Sequence, residues 1–183
     1  MKKPIVVNLF GAPGAGKSTG AAYVFSELKQ NGINAELVTE FAKDKTWEGN
    51  TLALSCQEYM FGKQSYRLAR CRDDVDVIIT DSPLPLSIIY NVNPALGSAF
   101  NEVVLNIFDT YDNLNYYVVR NKPYNPKGRS QTETESDALG GDIEAMLQHF
   151  VIPYEKIEGD KDGYNYILSE VYKKLVIKGV NIY

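Results

Sequence analysis

Apolar residues recur along this chain in short runs separated by longer stretches of helical periodicity. Five runs have strand length: residues 5–10 (IVVNLF), 35–39 (AELVT), 75–80 (VDVIIT), 116–119 (YYVV) and 154–157 (YEKI). The third is almost continuously apolar, as a strand buried on both faces should be. Helical spacing covers residues 17–30, 52–70, 98–109, 137–150 and 164–174. In 98–109, for example, Phe100, Val103, Val104, Ile107 and Phe108 fall on one face. Strands that alternate with helices predict an α/β fold with a mainly parallel sheet. Residues 121–136 break the pattern with two prolines, one glycine and many polar residues. A loop of this length suggests a lid or a binding loop.

Composition narrows the picture. With 183 residues and 44% hydrophobic content, the chain supports one well-packed domain, 1–183, and not two. Its net charge of −4 argues against non-specific duplex binding, though not against a local basic patch. No apolar run approaches the ~20 residues that span a bilayer. The leading MKKPIVVNLFG is too short for a secretory signal, and it feeds directly into a glycine-rich turn that cleavage would destroy. The expected location is therefore the cytoplasm, with no membrane partner. Cys56 and Cys71 lie on one predicted helix, where fifteen residues span roughly 22 Å. A disulfide needs Cα atoms within about 7 Å, so both are read as free thiols.

The strongest chemical signal is Gly11-Ala12-Pro13-Gly14-Ala15-Gly16-Lys17-Ser18, followed by Thr19. It fits G-x-x-x-x-G-K-[ST], with a strand before it and a helix after it. Glycines let successive backbone N–H groups turn toward one anion, and the helix that follows starts at the phosphates. Lys17 would reach the β- and γ-phosphates, and the Ser18 hydroxyl would serve Mg²⁺. ATP and Mg²⁺ are the expected cofactors.

Four further groups bear on what happens to the phosphate. Asp81 closes the third strand, at the sheet edge where open parallel sheets bind ligands. It would assist the metal, or else cap the segment after it. Glu40 closes the second strand on the same edge and is read as a general base. Proton removal helps transfer to a hydroxyl, whereas transfer to a phosphate oxygen needs no base. Gln57 and Gln64 share a helix face, and an amide can pair bidentately with a nucleobase edge. Tyr59, Phe61 and Tyr66 nearby could stack on a ring or belong to the core. Finally, Arg120, Lys122, Lys127 and Arg129 crowd the predicted lid. Arg120 and Arg129 are expected to neutralise charge on the transferred group. His149 has no partner at ligand spacing and is assigned no role.

With these residues in order, the chain resembles the P-loop kinases that act on nucleosides and nucleotides. It is most similar to the nicotinamide-riboside-kinase-like group and to small kinases encoded by bacteriophages. The stretch TEFAKDKTW also resembles the Glu-plus-Trp segment of deoxynucleoside kinases. The resemblance implies five parallel strands in the order 2-3-1-4-5, Glu40 as base and Asp81 as a metal-assisting acid. It departs at Ser82, where deoxynucleoside kinases carry an arginine, so Arg67, Arg70 or the lid would have to substitute. The implied acceptor is a small nucleoside- or nucleotide-like molecule. Alternatively it is the hydroxymethyl group of a modified pyrimidine such as 5-hydroxymethyluracil in DNA, which requires a single strand or a flipped base. A second copy of the chain, forming a homodimer, is a further candidate partner. Two rivals remain. A GTPase needs Asn-Lys-x-Asp, but Asn121-Lys122-Pro123-Tyr124 ends in tyrosine. An ATP-binding regulatory module would bind the donor and transfer nothing.

Overall fold

A computed structural model describes residues 3–126 and 132–180. Five strands form one parallel sheet: β1 (Ile5–Phe10), β2 (Ala35–Val38), β3 (Val77–Thr80), β4 (Asp112–Val119) and β5 (Glu155–Glu158). Their order is β2-β3-β1-β4-β5, as the resemblance implied. The central strand β1 is buried at all six positions. Around the sheet lie α1 (Lys17–Gln30), α2 (Phe41–Trp47), α3 (Thr51–Ser55), α4 (Gln57–Ala69), α5 (Leu86–Ile89), α6 (Gly97–Phe108), α7 (Glu133–His149) and α8 (Lys161–Ile177).

The two faces of the sheet build two cores. On one, Val7, Leu9 and Ile79 meet Val24 and Leu28 of α1 and Ile167, Val171 and Leu175 of α8. On the other, Val6, Phe10 and Ile78 meet Phe61 and Leu68 of α4, Val104 of α6, and Ile143 and Leu147 of α7. The second face also contains a polar line. The Asn8 amide donates to Asn113 Oδ1 at 2.9 Å and to Asn115 Oδ1 at 3.0 Å. Asn113 and Asn115 in turn donate to the carbonyls of Phe108 and Pro153.

Several boundaries differ from the expectation, each for a physical reason. The strand read as 116–119 begins four residues earlier, at Asp112. Asp and Asn are poor strand formers, but here the asparagines bond across strands and Asp112 pairs with Lys174 and Lys178. The helix read as 52–70 is broken at Cys56, whose backbone is not helical. The short α3 buries none of its residues, whereas α4 turns Met60, Phe61 and Leu68 inward. Both cysteines are free thiols. The loop read as 121–136 ends sooner, because α7 starts at Glu133 behind a capping box. The Thr132 hydroxyl accepts from the Glu135 amide, and the Glu135 carboxylate accepts from the Thr132 amide. Among the described residues, no helix is long and apolar enough to cross a membrane.

Candidate active site

The phosphate-binding loop leaves the C-terminal end of β1 and runs straight into α1. Gly16 sits before the helix in the left-handed region, φ 108°, with no side chain capping the turn. As at any helix start, the first turn of α1 has N–H groups beyond the reach of intrahelical acceptors, which suits this end to an anion. Lys17 Nζ donates to the carbonyls of Gly11 (2.7 Å) and Ala12 (3.0 Å), which holds its charge at the loop's mouth. Ser18 and Thr19 stand on the exposed side of the first turn.

The loop is fixed from behind by close backbone contacts. A Cβ on Gly11, at φ 133°, would lie 2.5 Å from the Val118 carbonyl, and one on Gly159 would lie 2.1 Å from the Ala15 carbonyl. Tyr164 of α8 donates its hydroxyl to the Gly16 carbonyl at 3.0 Å and lays its ring against Gly20. Ser136, fully buried on α7, donates to the Pro13 carbonyl at 2.8 Å. None of Tyr164, Ser136 and Gly159 was expected at the site. Contacts to the loop from α7, α8 and the end of β5 leave no local sequence signal.

Asp81 follows β3 and is 7% exposed. Its Oδ2 accepts from the Ser18 hydroxyl at 2.5 Å, while its Oδ1 is buried with no partner. The turn after it is closed by Thr80, whose hydroxyl accepts from the Ser82 amide. Asp81 is thus spared the capping role. A carboxylate oxygen with free lone pairs beside a serine hydroxyl is a donor set that suits Mg²⁺, which prefers oxygen and takes few protein ligands. Among the described residues, no cluster of three acidic, His or Cys side chains could hold a metal unaided. The remaining positions would fall to phosphate and water.

Glu40 stands between β2 and α2 at the N-cap position, but its carboxylate makes no cap bond. Burial raises its pKa above the usual carboxylate range; the Lys17 charge opposes the shift and the Asp81 charge adds to it. The base candidate, the loop lysine and the metal-side acid thus share one electrostatic neighbourhood. Tyr90, at the end of α5, joins it. Burial, aided by the Glu40 charge, pushes its phenol up to about 12.

The sequence matches the family described as AAA domain (AAA_28) over residues 6–162. The chain belongs to this family. No curated protein matches it. Among solved structures, it is similar to deoxyadenosine kinase from M. mycoides with bound dATP, at 19% identity and TM-score 0.55. That match covers 92% of this chain and 98% of the other. It is also similar to APE1195, at 22% identity and TM-score 0.50, with 98% of each chain covered. The AAA-family chain thus has a P-loop kinase fold.

The remaining expected site residues of this AAA domain separate into three groups. Gln57 is buried at the start of α4 and makes no side-chain hydrogen bond among the described residues, so its amide is available. Tyr59 meets Phe41 edge-on at 5.7 Å and keeps part of its surface exposed. Gln64, expected to read a base edge, is instead bonded at both ends to backbone. Its Oε1 accepts from the Phe41 amide at 2.9 Å and its Nε2 donates to the Thr39 carbonyl at 3.4 Å. The substitutes for the missing arginine are also engaged, Arg67 with Asp44 and Arg70 with Glu36. Arg120 is held by the N-terminal two turns of α7, pairing with Glu133 and Asp137, and lies over the Tyr124 ring. Arg129 and Lys127 lie outside the described residues.

Proposed function

We propose that this chain is an ATP-dependent kinase that transfers the γ-phosphate of Mg·ATP to a hydroxyl of a nucleoside- or nucleotide-like acceptor, as in the nicotinamide-riboside-kinase-like and small phage kinases. The observation that carries the reading is the uncapped, partly buried Glu40 carboxylate in the field of Lys17 and Asp81. A carboxylate left free there fits proton removal from an acceptor. The loop amides and Lys17 hold the triphosphate. Ser18 and Asp81 would hold Mg²⁺, which when bound neutralises phosphate charge. Glu40 takes the acceptor's proton as the new O–P bond forms and the bond to ADP breaks. Gln57 and Tyr59 are the groups left to meet the acceptor's ring. Arg120 is paired with Glu133 and Asp137, so contact with a phosphate would compete with those pairs.

The test offers labelled ATP with free nucleosides, nucleotides and single-stranded oligonucleotides containing 5-hydroxymethyluracil, side by side. Label on a free nucleoside or nucleotide hydroxyl supports the reading. Label only on the oligonucleotide moves the acceptor to DNA. ATP binding without transfer to any acceptor would leave a regulatory module. With an active acceptor, Glu40→Gln should lower kcat by about 10²–10⁴ while ATP binding persists.

A further inference from the structure

An N-cap residue ordinarily spends its side chain on the first free amides of its helix. Glu40 does not, and α2 solves the problem by borrowing from α4. The Phe41 amide, first in α2, donates to Gln64 Oε1, and the same amide group returns a donor to the Thr39 carbonyl. Gln64 is 5% exposed, so these bonds lie away from competing water. One helical turn further along, Arg67 grips the same turn from outside. It donates to the Thr39 carbonyl at 3.1 Å and hydroxyl at 3.4 Å, sits over the Phe41 ring at 5.0 Å and pairs with Asp44. Every contact falls on residues 39, 41 or 44, and none falls on the Glu40 carboxylate.

We propose that Gln64 and Arg67 are positioning residues for Glu40. They satisfy and anchor the turn on either side of it, so its carboxylate is left free yet cannot wander. The role given to Glu40 rests on the kinase reading above. The clamp itself rests only on the geometry. The arrangement also makes α4 a ruler. Gln57 stands seven residues before Gln64, about 10 Å along the same rigid helix. The distance between an acceptor held at Gln57 and the base at Glu40 is thereby set by one element.

Gln64→Leu and Arg67→Met test this, one removing a buried anchor and the other a partly exposed one. Amide hydrogen exchange at Phe41 is read first, because it needs no acceptor. We expect Gln64→Leu to speed exchange at Phe41 at least about tenfold while the amides of α1 keep their protection. Turnover is read next, on whichever acceptor the wild type uses. Both variants should lower kcat by about 10- to 100-fold with KM for ATP within about twofold of wild type, since small misplacements of reacting groups cost rate rather than donor binding. Unchanged Phe41 exchange in Gln64→Leu overturns the clamp. Faster exchange with wild-type kcat in both variants overturns the positioning role. If wild-type kcat also persists in Glu40→Gln, the base assignment has failed instead.

Discussion

The two halves of the site are held by different means. The donor half is a backbone construction: loop carbonyls, glycines and the ends of β1, β4 and β5 touch at distances that admit no extra carbon. The half proposed to face the acceptor is a side-chain construction. There the chain from Thr39 to Asp44 is fastened to α4 by Gln64 and Arg67, and Trp47, Leu52 and Tyr66 stand exposed. A backbone-built pocket is specific for what all nucleoside triphosphates share. A side-chain-built pocket can be retuned by single substitutions. On the proposed reading, donor and acceptor specificity rest on separable parts of this molecule.

Added methyl groups break that comparison most sharply. Gly159→Ala would drive a Cβ to 2.1 Å from the Ala15 carbonyl. Loss of measurable ATP binding in calorimetry and destabilisation of about 3 kcal/mol or more are expected, the scale of severe overpacking. Gly62→Ala, in the middle of α4, meets nothing within 4 Å. It should stabilise by up to about 1 kcal/mol in denaturant unfolding and leave ATP binding unchanged. If the two alanines behave alike, the division between the halves is wrong.

Acid sharpens it next. Burial raises the Glu40 pKa. The acid limb of kcat should therefore lie above the ordinary carboxylate range in a pH–rate profile, since the base must be ionised. For stability the sign is the reverse. A raised folded-state pKa favours the fold below the unfolded value and costs stability as pH rises through the folded one. Glu40→Gln should thus raise Tm at neutral pH while it removes turnover.

A smaller effect lies far from both halves. Burial would raise the Asp112 pKa, but hydrogen bonds and charge from Lys174 and Lys178 outweigh it, and the net shift is downward. That stability is present above the unfolded carboxylate pKa and fades as pH falls through the depressed folded value. Asp112→Asn should flatten the acid side of a Tm-against-pH curve without altering kcat at neutral pH. Smallest of all, Val151 holds φ 54° at an exposed turn. Val151→Gly should raise stability by about 1 kcal/mol by relieving that backbone, with no change in ATP affinity.

What the chain discloses in advance follows the same division. The phosphate loop was legible because its signature is local: eight consecutive residues between a strand and a helix. Strand order followed from the likeness that this loop and its neighbours suggested. The places of Asp81 and Glu40 at the ends of β3 and β2 were legible because each directly follows an apolar run. Gln64 was misread because an amide suited to a base edge is equally suited to a peptide edge, and only the fold brings Thr39 and Phe41 to it. Arg120 was expected to neutralise charge on the transferred group, but α7 begins inside the segment read as loop and brings Glu133 and Asp137 to it. The capping box Thr132-x-x-Glu135 was there to be read, and it would have started α7 at the right place.

The hydroxyl of Tyr164 reaches the carbonyl of Gly16 across 148 positions of sequence. During synthesis at about 5–20 residues per second, the phosphate loop is made first and waits roughly 7–30 seconds for this last support. The nascent chain thus carries its most recognisable motif long before the motif has its full backing. The signature is thus complete as sequence well before the tertiary contact that backs it can form.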